Sequence, residues 1–253
     1  MDSWIQYAIL ISVGFVVGFI NTVAGGASLL SLPMFIFMGL PPAVANGTNR
    51  VAILAQTAVG AAGFKSKGVG NFPFNLYLGL SAMIGAVIGA QISVDIKGET
   101  FNKVLVVIMF FVVGLMVLKP KAKKEDLLER LTGKHLWISV VAFFFIGIYG
   151  GFINAGIGFV IMLFLNYVNR LSLVKTNATK VSVVFFYTIA ALAVFVINDK
   201  VNWTMGLVHA IGNASGAWVS SRYSVKKGDG YIRVFLIVMV IAMSIKLWFT
   251  TYE

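Results

Sequence analysis

Two cations stand inside apolar stretches, each behind the same short pattern. Asn46-Gly47-Thr48 is followed by Arg50-Val51, and Asn177-Ala178-Thr179 by Lys180-Val181. A cation at membrane depth is expensive unless an opposite charge accompanies it. All nine carboxylates of the chain fall in loops, at the termini or at the ends of apolar segments. The counter-charge expected for Arg50 and Lys180 is therefore an anion from outside the chain. Asn46, Thr48, Asn177 and Thr179 would be the hydrogen-bonding groups beside it. The bland alternative is that both side chains snorkel to the membrane surface from the first turns of their helices.

A second constellation is made of small and polar residues that interrupt apolar runs. Asn21-Thr22-Val23-Ala24-Gly25-Gly26-Ala27-Ser28 breaks the first run, and Asn154-Ala155-Gly156-Ile157-Gly158 breaks a later one. Gly and Asn tolerate the non-helical backbone a break requires. A break also frees N–H groups at the start of the following half-helix, and these attract anions. Asn21, Gly25, Gly26 and Ser28 form one candidate cradle, Asn154 and Gly158 the other. The structural alternative is a simple kink or a tight helix contact. His209 follows Gly206 by three residues, where the matching position of the first half is Ala82. It could titrate, donate to a substrate, or merely be hydrogen-bonded in place.

The elements that must hold these residues are membrane helices. The chain is 59% hydrophobic and 11% charged, against about 25% charged in soluble domains. Its mean hydropathy is +0.91. Several runs approach the roughly 20 apolar residues that span hydrocarbon. The pattern predicts a helix over 4–20, a break over 21–27 and a short helix over 28–38. Helices over 44–63, 74–94 and 101–118 follow. A charged stretch then links to a second set: 136–153, a break at 154–158, 159–168, 175–197, 203–221 and 231–250. The lipid bilayer is the implied partner, and the fold class is an all-α polytopic membrane protein.

The second set repeats the first. Gly18-Phe19-Ile20-Asn21 returns as Gly151-Phe152-Ile153-Asn154, and Gly79, Gly85 and Gly89 return with the same spacing as Gly206, Gly212 and Gly216. Such duplication is common in secondary transporters. The expected organisation is a first transmembrane repeat at 1–118, a charged cytoplasmic linker at 119–134 and a second repeat at 135–253. With that linker in the cytoplasm, Lys65, Lys67, Arg170, Lys175, Arg222, Lys226, Lys227 and Arg233 fall inside, and Lys97, Lys103 and Lys200 outside. This obeys the positive-inside rule. It makes the repeats inverted, with both termini outside, each repeat holding a broken helix or re-entrant hairpin; a single discontinuous crossing in each half would instead make them parallel and worsen the charge bias.

Several function classes are excluded. The net charge of +11 comes without a basic, aromatic-interleaved module, so nucleic acid is not an expected partner. No cysteine and only two histidines leave no metal-ligand pattern. No P-loop is present. His209 and Ser215 lie on different helix faces and lack a nucleophile elbow, so no catalytic residues are assigned and an enzyme is not expected. Gly85-x-x-x-Gly89 and Gly212-x-x-x-Gly216 are packing faces. The Asn-x-Ser/Thr triplets lie in or beside apolar helices and are discounted as sugar acceptors.

The paired Gly-Phe-Ile-Asn breaks and the later Asn-x-Thr-(x)-Arg/Lys-Val segments resemble the TauE/SafE sulfite exporter family over nearly the whole chain. The match is strongest at 18–28, 46–51, 151–158 and 177–181. Ala24-Gly25-Gly26, Ser28 and Pro33 fit the family's glycine-rich pattern. The second copy lacks the double glycine and has Asn166 where the first has Pro33. The resemblance implies transport of sulfite or small organosulfonates across a bacterial inner membrane, without a cofactor. The expectation is a secondary carrier, an exporter by the family's usual label, binding its anion at the repeat interface. The alternatives are a passive small-anion channel and a membrane scaffold without cargo. Oligomeric state is not legible.

Overall fold

The computed structural model describes residues 3–117, 128–223 and 230–252. Lys121, Lys123, Lys124, Glu125, Asp126, Lys226 and Lys227 lie outside the described residues, as does the side chain of Arg233. Ten helices and no strand are found among the described residues: α1 (Ser3–Val23), α2 (Ser28–Phe37), α3 (Pro42–Lys65), α4 (Phe74–Asp95), α5 (Gly98–Val117), α6 (Gly133–Phe152), α7 (Ile157–Tyr167), α8 (Leu173–Ile197), α9 (Trp203–Tyr223) and α10 (Gly230–Tyr252). The expected segments are recovered with small shifts. Asn21 falls in the last turn of α1, and Gly158 in the first turn of α7, so both breaks are shorter than the polar stretches suggested. In each case the chain stays helical to within a few residues of its first left-handed position, Gly25 in one break and Asn154 in the other.

Among the described residues, five helices, α1, α4, α5, α6 and α8, are long and apolar enough to cross a membrane. Large apolar side chains face outward along them, among them Ile84, Val107, Phe111 and Phe145. Outward apolar surface of this kind needs lipid as its solvent.

Each break is the tip of a hairpin. Phe164 on α7 returns to meet Phe143 on α6, with ring centroids 5.6 Å apart. Just beyond α7, Asn169 bonds Ser139 near the start of α6. On the other hairpin, Phe35 of α2 packs on His209 at 5.1 Å, and His209 donates to the Leu10 carbonyl of α1. The short helices therefore run back along the long ones.

The contacts also fix the direction of every long helix near the centre. Gly14 and Gly18 meet the backbone of His209 and Asn213, so α1 and α9 run parallel. Gly206 meets Thr48 while Gly63 meets Ser221, so α3 runs with them. Gly147 and Gly151 meet Ala82 and Ala86, so α6 runs with α4. Gly79 meets Phe186, and Asn71 bonds Thr179, so α8 runs with α4 as well. Gly47 meets Phe195 while Gly60 meets Val181, so α3 and α8 are antiparallel. Two groups result: α1, α3 and α9 point one way, α4, α6 and α8 the other, and α1 and α6 are opposed. The most extensive packing is α4 on α6, α1 on α9, α3 on α9 and α4 on α8. Each of the two groups mixes helices from before and after the 119–134 stretch.

Glycine makes these crossings possible. A Cβ on Gly85 or Gly89 would overlap the carbonyls of Phe144 and Ile148, and one on Gly212 or Gly216 those of Ile11 and Phe15. Small residues let backbones approach this closely without a hydrophobic driving force between helices.

Charge is separated along the bundle. One end gathers Lys65, Lys67, Arg130, Lys134, Arg170, Lys175 and Arg222 with Glu129, which pairs Lys175 at 2.7 Å. The other end carries Lys97, Lys103 and Lys200 with Asp95, Glu99 and Asp199, and Lys246 over the ring of Phe37.

Candidate functional site

The two hairpin tips meet in the interior. A Cβ on Gly25 would stand 2.7 Å from the Gly158 carbonyl carbon, so the backbones touch there. Gly25 has φ +68° and Gly156 φ +72°, left-handed values that glycine adopts without strain. Ser28, at the start of α2, bridges to the other tip: its Oγ donates to the Asn154 carbonyl at 3.0 Å and accepts from Gly156 N–H at 3.1 Å. Asn154 is itself left-handed, at φ 60°. Tyr187 of α8 holds it, donating from its hydroxyl to Asn154 Oδ1 at 2.6 Å. Asn21 is half-buried beside the junction and donates to Gln56 Oε1 at 3.2 Å. Tyr149 donates to the Ala155 carbonyl.

The cations do not reach the surface. Arg50 is 0% exposed and Lys180 2%, which overturns the snorkelling alternative. Both lie two turns into their helices, and both reach the carbonyl end of the opposite hairpin's long helix. Arg50 donates to Gly150 O at 2.6 Å and Gly151 O at 2.8 Å, the last turn of α6. Asn46 adds a bond to Phe152 O at 2.6 Å. Lys180 donates to Asn21 O at 2.9 Å and Thr22 O at 3.1 Å, the last turn of α1, and to Asn177 Oδ1 at 2.9 Å. Asn177 adds a bond to Val23 O at 2.9 Å. The two clamps are the same device used reciprocally. Its physics is direct: the last carbonyls of a helix lack intrahelical donors and carry the negative end of its dipole.

The threonines of the two patterns serve the frame instead. Thr48 Oγ1 accepts from Asn202 N–H before α9, and Thr179 Oγ1 from Asn71 before α4. Gly26 is buried, and a Cβ added there would face Met116 of α5 at 3.9 Å. His209 lies apart from the junction, at the contact of α1, α2 and α9. Asn21, Gly25, Ser28, Asn154, Gly158 and Lys180 do come together, with Arg50, Asn46 and Asn177 holding the helix ends behind them. Sequence reasoning missed Gln56 and Tyr187. Each follows its cation by about two turns on the same helix, and a polar group in an otherwise apolar helix was the signal available.

The junction's electrostatics follow from these contacts. A helix C-terminus supplies roughly half a negative charge, and the N-termini of the returning helices roughly half a positive charge each. Arg50 carries a full unit and meets no carboxylate among the described residues. The balance around the tips is positive, which suits a small anion. No group of three or more metal-ligating residue types that could hold a metal is found among the described residues.

Known proteins are similar to this chain over most of its length. It is 28% identical over 240 residues to a probable membrane transporter protein ORF9 of Sinorhizobium sp, covering 95% of this chain and 91% of that one. A probable membrane transporter protein of Haemophilus influenzae is also 28% identical, over 95% of this chain and 93% of its own. The probable membrane transporter protein YfcA of Escherichia coli K12 is 25% identical over 100% and 93%. No solved structure matches the chain. The family model described as sulfite exporter TauE/SafE matches residues 10–247. With its apolar helices, paired hairpins and these relatives, the chain is a multi-pass bacterial membrane protein and belongs to the TauE/SafE sulfite exporter family of membrane transporters.

Proposed function

We propose that this protein is a secondary transporter that exports a small organosulfonate or sulfite anion across the cytoplasmic membrane, holding it where the two hairpin tips meet. The observation that carries the reading is the fully buried Arg50, which among the described residues meets the carbonyl end of α6 and no carboxylate. With Lys180 at the end of α1, it leaves the junction positive. A sulfur oxyanion would complete that balance while accepting hydrogen bonds from first-turn N–H groups of α2 and α7. Asn21, half-buried beside the junction, is the side chain best placed to turn toward it. The family's description supports the substrate class.

The opposed directions of α1 and α6, the matched glycine crossings and the reciprocal clamps support two inverted repeats, 1–118 and 135–253. The more basic end would face the cytoplasm. Alternating access would move α1, α3 and α9 against α4, α6 and α8.

The test uses purified protein. Thermal stabilisation is measured across sulfite, sulfate, thiosulfate, taurine, sulfoacetate, acetate and chloride, followed by counterflow of labelled sulfite and taurine in proteoliposomes. Selective stabilisation by sulfite or a sulfonate, weakened in Asn21→Leu, with counterflow of the same anion, is expected. No selective anion and no counterflow overturn the reading, and uptake without counterflow would identify a channel.

A further inference from the structure

The two glycine crossings are built alike but lined differently. Gly147 and Gly151 of α6 rest on Ala82 and Ala86 of α4, whereas Gly14 and Gly18 of α1 rest on His209 and Asn213 of α9. The alanine pair shows that the crossing itself needs no polar side chain. Both polar residues are 0% exposed. His209 Nδ1–H donates to Leu10 O at 2.8 Å, so in the neutral ring Nε2 is a bare acceptor, and it has no partner. Asn213, one turn further along the same face, has neither amide atom partnered. A buried polar atom left unsatisfied costs about 1–3 kcal/mol. Three of them at a contact that works with alanine indicate a task other than packing.

We propose that His209 is the proton-carrying group of the transporter: a proton from water adds to the Nε2 lone pair as the anion binds and leaves when the anion leaves. This deepens the anion-transport reading above and rests on it. The charges around the ring require such pairing. Tyr7 is the one titratable residue of α1 and α2 holds none; α3 contributes Arg50 and Lys65, α9 itself Arg222 and Tyr223, and α10 Tyr231, Arg233, Lys246 and Tyr252. No carboxylate lies on any of these five helices. A buried imidazolium there takes its counter-charge from the anion. Asn213 leads from His209 toward the junction, since Asn21 lies seven residues beyond Gly14 on α1, about 10 Å along the axis. Movement of a monoanion with its proton is electroneutral, and its direction follows the anion and proton gradients together.

Two measurements test this. In proteoliposomes with labelled sulfite, an inward pH gradient should drive accumulation in the wild type. In His209→Gln that accumulation should fall at least ten-fold while counterflow remains measurable. Accumulation driven equally in the variant overturns the proton role and leaves the anion reading standing; absence of counterflow in the wild type is instead the failure of that reading. Independently of any anion, His135→Gln leaves a single imidazole for NMR. Reversible titration of His209 in the folded protein is expected. An imidazole that stays neutral down to the pH at which helix content is lost overturns the proposal.

Discussion

Replacing Arg50 by Met tests the clamp on α6. The guanidinium holds Gly150 O at 2.6 Å and Gly151 O at 2.8 Å, and both residues are buried. Methionine fills a similar volume but donates nothing, so two buried acceptors lose their partner. Each orphaned group costs about 1–3 kcal/mol. Relief from burying a cation offsets part of that sum. The net expectation is a loss of about 2–4 kcal/mol. At roughly 2–4 °C per kcal/mol for a chain of this size, the melting temperature in detergent should fall by about 4–16 °C. Arg50→Lys keeps the charge but not the fork, and should recover about half of the loss. The tip at Asn154 is set by the same turn of α6, so counterflow by the folded Met variant should fall at least ten-fold. A Met variant as stable as wild type, or more so, would refute the reasoning. It would mean that the cation's desolvation outweighs the helix end it holds.

Two further substitutions probe the junction and the crossings. Ser28→Ala removes both bonds between the hairpin tips; a stability loss of about 1–3 kcal/mol and a roughly ten-fold slower counterflow are expected, and an unchanged rate would remove Ser28 from the working geometry. Gly89→Val and Gly216→Val push side chains into the Ile148 and Phe15 carbonyls; each should cost about 1–3 kcal/mol, summing in the double variant because the crossings are separate, and thermal unfolding that is unmoved by either would show the helices free to part.

Much of the frame could be read from residue type and spacing. Helix positions followed from apolar runs, the breaks from clustered glycine and asparagine, and the close crossings from Gly-x-x-x-Gly. The two cations stood out because Arg50 and Lys180 stand in apolar surroundings, but that they are buried rather than snorkelling came only from the fold. Their partners did not stand out. A helix's last carbonyls are backbone atoms common to every residue, so nothing in the letters at 150, 151, 21 or 22 announces that a cation will bind there. The same blindness hid the roles of Thr48 and Thr179, which meet residues more than 100 positions away. Asn21 was placed in the break because its type suits one. The structure leaves it helical, with the turn made by Gly25 and Gly26.

The clamps bear on how the molecule could move. Packing joins α1, α3 and α9 into one group and α4, α6 and α8 into another, with α3 and α8 meeting between them. Arg50 lies on α3 and binds α6; Lys180 lies on α8 and binds α1. Ser28 of the α1–α2 hairpin binds the tip of the α6–α7 hairpin. Each of these polar contacts therefore crosses the seam between the groups. A sliding of one group past the other strains both clamps together, because each is anchored on one side and bonded on the other. On the proposed reading, an anion at the tips would sit where that strain converges. Bound there, it would weaken the pull of each cation on its helix end, since one positive charge is then shared between two negative partners. On that reading, the charges that join the two groups are the ones through which a small anion would loosen them.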